Sequence, residues 1–187
     1  MRGAPCSLCA RPEADHDDAA CSFGWTPALP PLRVWTARVS YRGADRLDIT
    51  RKSGTDGLFL APSWAILRPA LDARSRATAL RKVANAIGAL PSDGTNDAAC
   101  KGQADADYAQ ASRVEAEAWA RYVPAYTAEM RASYRANVEA WKELLARREV
   151  TLCCYCAAWP GSAELHCHRR LAAALLVKCG AVDCGER

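Results

Sequence analysis

From about residue 112 to residue 148, Trp119, Tyr122, Val123, Tyr126, Met130, Tyr134, Val138, Trp141 and Leu145 form one stripe at helical spacing. That is the period of one face of a long helix. Pro124 falls inside the run and predicts a kink or a division in two. An aromatic stripe of this kind reads as a face packed on a sheet or a partner helix before it reads as a platform for nucleobases. Short runs of strand type flank it. Val34, Trp35 and Val39 favour a strand over 33–40, a second is expected at 47–50, and Val150 to Cys156 gives a third. Pro62-Ser63-Trp64 opens a helix containing Ile66, Leu67 and Leu71, with Ser63 as its cap. Leu80, Val83, Ile87 and Leu90 mark another helical piece. Residues 91 to about 107 read as a polar loop. A last helix spans about 169–179, closed by Gly180 as a left-handed cap, and Ala181 to Gly185 adds a short edge strand. Strands separated by helices define an α/β layered domain with a short, mostly parallel sheet flanked by helices.

The length of 187 residues suits a single domain, with residues 32–187 as the folded part. Residues 1–31 carry Pro5, Pro12, Pro27, Pro30 and Pro31 without lasting periodicity and read as a flexible N-terminal extension. The net charge of +4 is too small to imply nucleic acid by itself. No run approaches the roughly 20 apolar residues of a membrane span, and no secretory leader precedes Cys6. A cytoplasmic protein without a membrane partner is therefore expected. In that compartment ten cysteines do not form a disulfide framework, so metal binding, a reactive thiol and plain burial must share them. No cofactor is expected, although Cys6, Cys9, His16 and Cys21 are four residues of zinc-ligand type whose first two-residue gap lets both sulfurs reach one ion; the middle spacing is not that of the usual knuckle.

The chemistry concentrates in the last quarter, where the strand ending at Cys156 is followed by His166-Cys167-His168-Arg169-Arg170 at a helix start. Alternation along a strand puts Leu152, Cys154 and Cys156 on one face and Cys153 and Tyr155 on the other. Ligands of open α/β sheets bind beyond the carboxyl ends of strands, so Cys156, Cys167, His168 and Arg169 fall in one neighbourhood. Arginines at a positive helix terminus are unfavourable unless something answers them. A bound phosphate or carboxylate would do so, as would pairing with an acid such as Asp48. The cysteines leave three readings open. Cys154, Cys156, Cys167 and a histidine could share zinc, but the one-residue gap and ten-residue loop fit no common spacing. Cys167 could be a nucleophile activated by the helix terminus and its basic neighbours, although Cys-x5-Arg spacing is missing. Buried structural thiols are the third.

Trp35-Thr36-Ala37-Arg38, Ser40-Tyr41-Arg42-Gly43, Asp48-Ile49-Thr50-Arg51, Ala61-Pro62-Ser63-Trp64, Tyr122 with Tyr126, and Cys154-Tyr155-Cys156 with Cys167-His168-Arg169 occur in this order. The set resembles domain-of-unknown-function family 488 over about residues 33–187. The loop before Cys167 and the segment around 91–107 look longer than in the family. The resemblance implies a Rossmann-like fold and kinship with nucleotide- or nucleoside-processing proteins of phage and bacterial genomes. The expected function is accordingly a nucleotide-, nucleoside- or nucleic-acid-base-processing enzyme, glycosidase- or transferase-like. Asp48, Cys167 and His168 are its candidate catalytic residues, with no metal among them. Arg38, Tyr41, Arg42, Thr50, Arg51, Cys156 and Arg169 are the candidates for holding an anionic substrate, either a phosphate-bearing small molecule or nucleic acid. The alternatives are a zinc-binding or thiol-redox protein, and a non-catalytic module that holds nucleic acid or a protein partner.

Overall fold

The computed structural model describes residues 30–89, 97–156 and 166–187. The proposed extension, with Cys6, Cys9, His16 and Cys21, lies outside them, apart from its last two residues. The described chain divides into two compact units, one of residues up to 63 together with 126–187, the other of residues 64–125.

The first unit holds a four-stranded, all-parallel sheet of β1 (Arg33–Arg38), β2 (Arg46–Asp48), β3 (Glu149–Cys154) and β4 (Val182–Glu186), in the order β2-β3-β1-β4. With the helices described below it makes a small α/β layered domain. Five of the six residues of β3 are buried, as a central parallel strand covered on both faces requires. β1 pairs with β3 from Arg33 opposite Glu149 to Arg38 opposite Cys154. β2 begins only opposite Thr151. The chain leaving β1 therefore retreats by about three residues of strand, roughly 10 Å, and a short link joins two parallel strands on either side of β3 where such connections usually contain a helix. Within that link the Arg46 N–H bonds the Gly43 carbonyl and the Thr151 N–H bonds that of Asp45. β4 occupies the opposite edge, with a register shift between Val34 and Thr36.

The aromatic stripe packs, as its period implies. The helix carrying it, α2 (Asp97–Ala136), contributes Tyr126 and Met130 to the core of this unit, and α3 (Val138–Leu145) contributes Trp141, Leu144 and Leu145. The Tyr126 hydroxyl donates to the Leu60 carbonyl at 2.8 Å, and the Trp141 ring meets Phe59 and Tyr134 edge-on. The predicted division at Pro124 falls instead at Asn137, where the backbone leaves the helical region (φ −130°, ψ 42°). One proline removes a single N–H from a long ladder, and the remaining turns carry the helix through it. α4 (His168–Lys178) buries Ala172, Ala173, Leu175 and Leu176, and Gly180 follows with φ +94° as its left-handed cap.

The second unit contains α1 (Trp64–Gly88), one helix where two pieces were expected, and the part of α2 up to Ala125. The hydrogen bond from Tyr108 to Asn85 and the paired bonds from Arg81 to Glu115 run in opposite senses along the two helices, which makes an antiparallel hairpin. Its buried residues are mostly alanines: Ala73, Ala77 and Ala84 on α1, Ala104 and Ala111 on α2. The loop expected up to about residue 107 is helical from Asp97 onward. The Ser63 N–H and hydroxyl both donate to the Glu129 carboxylate. Among the described residues no helix is long and apolar enough to cross a membrane.

Candidate functional site

A parallel sheet delivers the exits of its strands to one side, and β3 ends there at Cys154, followed by Tyr155 and Cys156. α4 begins beside them, with Cys167 in extended conformation at its N-cap position and His168 as its first helical residue. The Sγ atoms of Cys154 and Cys167 lie 2.9 Å apart, and the Cys156 N–H points at the Cys154 sulfur at 3.4 Å. One donor atom from each of Cys154, Cys156, Cys167 and His168 lies within 4.8 Å of all the others. The ten-residue loop that argued against a shared ion is thus no obstacle in space, because β3 and α4 bring both ends of the set together. These four residues are able to hold a metal ion.

His168 is buried, and its Nε2 lies 3.1 Å from the Ile49 carbonyl at the exit of β2. Arg169 is 0% exposed. Its Nη1 donates to the Cys156 carbonyl at 2.8 Å and to the Cys154 sulfur at 3.4 Å, while Nη2 pairs with Glu186 on β4 at 2.5 Å. The charge at the helix start is therefore answered by a carboxylate. The acid is Glu186 rather than Asp48. Burial works against the guanidinium charge, but Cys167, Cys154 and Glu186 outweigh it and raise the Arg169 pKa.

Burial pushes the Cys167 thiol well above its usual range, and Cys154 and Cys156 add to the effect. Hydrogen bonding with Cys156, together with burial, brings Cys154 up to about 11, although its bond with Cys167 pulls the other way. The expectation that the helix terminus would depress the Cys167 pKa thus fails for a physical reason: a thiolate in a dry site costs more than the terminus returns. The Cys154 and Cys167 thiols therefore stay protonated at neutral pH.

Asp48 ends β2 and turns its carboxylate to the following turn. It accepts from the Thr50 N–H (2.9 Å), the Ser53 hydroxyl (3.0 Å) and Arg46 Nη2 (2.9 Å). Burial alone would raise its pKa, but these donors outweigh it and hold the carboxyl below its ordinary value. Gly54 lets the turn close, since a Cβ there would meet the Asp48 carbonyl oxygen at 2.5 Å. The Tyr155 hydroxyl reaches Ser53 at 3.0 Å, which ties the exit of β3 to this turn. Thr50 is buried and also bonds Ser53. Arg46 additionally reaches the Val39 carbonyl at the exit of β1.

The remaining candidates divide. Arg38 and Arg42 are exposed at the exit of β1. Tyr41 donates to Asp45 (2.7 Å) and accepts from Arg187 (2.6 Å), in a polar network with Thr151. Arg51 is committed to backbone: its Nε and Nη2 donate to the Pro62 and Ala61 carbonyls, each at 2.7 Å. Cys154 entered the sequence reading only as a potential zinc ligand, on the strand face of Cys156. Ser53, Tyr155 and Glu186 were missed as site residues, because they meet their partners only across the fold.

Residues 104–180 match the family model DUF488-N3a, described as the active DUF488-N3 subclade. This segment is a DUF488-family domain. It contains α3, β3 and α4 and with them Cys154, Cys156, Cys167, His168 and Arg169, whereas β1, β2 and β4 lie outside the DUF488 match. No curated protein and no solved structure matches the chain.

Proposed function

We propose that this protein is an enzyme acting on a nucleotide, nucleoside or nucleic-acid base, of the glycosidase or group-transferase type, with its substrate over the strand exits. The observation that carries the reading is the Asp48 carboxylate, held ionised in a polar turn at the end of β2. A carboxylate kept charged is poorly suited to donate a proton. It is well suited to stabilise positive charge that develops on a sugar ring as its bond to a base breaks. Arg38 and Arg42, exposed at the exit of β1, supply charge for a phosphate. Cys167 and His168 are buried, so in this reading they position the strand ends and do not touch substrate.

The test is to incubate the full chain with nucleosides, nucleotides and single- and double-stranded nucleic acid, following base release or group transfer by mass spectrometry. Turnover is expected, with Asp48→Asn lowering it by about 10²–10³-fold. Turnover that survives Asp48→Asn unchanged would remove Asp48 from the mechanism. Salt-sensitive nucleic-acid binding without turnover would point to a binding module.

A further inference from the structure

We infer that Cys154, Cys156, Cys167 and His168 bind one zinc-type divalent ion, in a closed centre that fastens the end of β3 to the start of α4. The inference rests on the donor geometry and is independent of the substrate reading above.

Four donors of two kinds meet within 4.8 Å of one another. A tetrahedral ion with metal–sulfur bonds of about 2.3 Å and metal–nitrogen bonds of about 2.0 Å spaces its ligand atoms roughly 3.5–3.8 Å apart. The set is therefore near the required size as it stands. The Cys154–Cys167 pair, at 2.9 Å, needs to open by only about 0.9 Å to share an ion.

The surroundings fit a ligated set in two further respects. With its proton on Nε2 the His168 ring donates to the Ile49 carbonyl, and Nδ1 would then be the ligating nitrogen. A backbone acceptor that fixes tautomer and ring orientation in this way is the usual support of a metal-binding histidine. Arg169 brings the second. Three thiolates, a neutral imidazole and a divalent ion sum to one negative charge, and a fully buried guanidinium donates to one of those sulfurs, Cys154, at 3.4 Å. Glu186 takes the other end of the same guanidinium. A charged donor beside a metal thiolate stabilises it, whereas a neutral thiol is a weak acceptor for the same group.

Donor chemistry selects the ion. Thiolates with an imidazole favour zinc and disfavour magnesium or calcium, which prefer oxygen. With all four positions filled by protein, the ion has no site open for water or substrate, so its role is structural.

The experiment uses the full chain, purified under reducing conditions without chelator. About one zinc per chain is expected by elemental analysis. Replacement by cobalt(II) should give the intense visible bands of a tetrahedral site and sulfur-to-cobalt charge transfer in the near ultraviolet. Cys156→Ser, at a half-buried position, should weaken zinc binding by more than the roughly 10–100-fold that loss of an outer-sphere partner costs. A Cys6→Ser/Cys9→Ser variant should keep the cobalt spectrum. The proposal is overturned if reduced wild-type protein takes up neither zinc nor cobalt. It is equally overturned if the signal survives Cys156→Ser and disappears with Cys6→Ser/Cys9→Ser. The wild-type spectrum needs no variant to fold, and metal content reads the centre whether or not any substrate is turned over.

Discussion

Arg169 carries its charge at zero exposure and meets Glu186, itself 30% exposed, at 2.5 Å. Removing one member of such a pair leaves the other without compensation. Arg169→Ala is expected to cost about 3–5 kcal/mol in urea unfolding. Glu186→Gln should cost less, about 1–3 kcal/mol, because an amide oxygen can still accept and water reaches that end. A loss below about 1 kcal/mol for Arg169→Ala would mean that the pair does not hold β4 to α4. Asp48 makes a prediction in pH. Its carboxyl is depressed below the ordinary value of 3.8, so its stabilisation is present above that value and is lost as pH falls through the lower folded value. Asp48→Asn should therefore be less stable than wild type near neutral pH, with the gap closing under acid, as followed by denaturation at a series of pH values. Asp45 is depressed in the same direction, its burial outweighed by Thr151, Tyr41 and Arg187, and steepens the same acid limb. Cys167, His168 and Arg169 stand out in the sequence because such residues are unusual at a helix start. Glu186 and Ser53 do not, since a lone acid or serine is ordinary until its partner is known.

The helices were readable where large side chains marked their period. The segment from 97 to 107 was not, because its buried face consists of alanine. Ala104 and Ala111 lie seven residues apart on one face of α2, yet they are too small to stand out among neighbouring alanines. Trp141 is the opposite case: it fills space between Phe59 and Tyr134, and Trp141→Ala should cost about 3–5 kcal/mol by thermal or urea unfolding. Gly180 stops α4 at φ +94°, where a Cβ would meet nothing within 4 Å. Gly180→Ala is thus a test of backbone conformation alone, with an expected loss of about 1–2 kcal/mol. A larger loss would point to a packing role for the turn into β4.

Across the whole molecule the two units differ in what they bury. The sheet unit encloses Val34, Ile49, Leu60, Tyr126, Trp141 and Leu152, while the helical unit relies mainly on alanines. Apolar burial scales with area, so native-state hydrogen exchange should find the slowest amides in β1 and β3 and faster exchange along α1. Equal protection in α1 and β3 would contradict this. Apart from the helix over 97–107, the continuous α1 and the division at Asn137, element types and approximate bounds followed from the sequence alone, because local backbone preference and side-chain period are properties of residues a few positions apart. So did the placing of cysteine, histidine and arginine at a strand end and a helix start. The order β2-β3-β1-β4, the answering of Arg169 by Glu186, and the gathering of four donors from β3 and α4 came only with the tertiary structure. Those depend on which distant surfaces exclude water from one another, and no spacing along the chain records that choice.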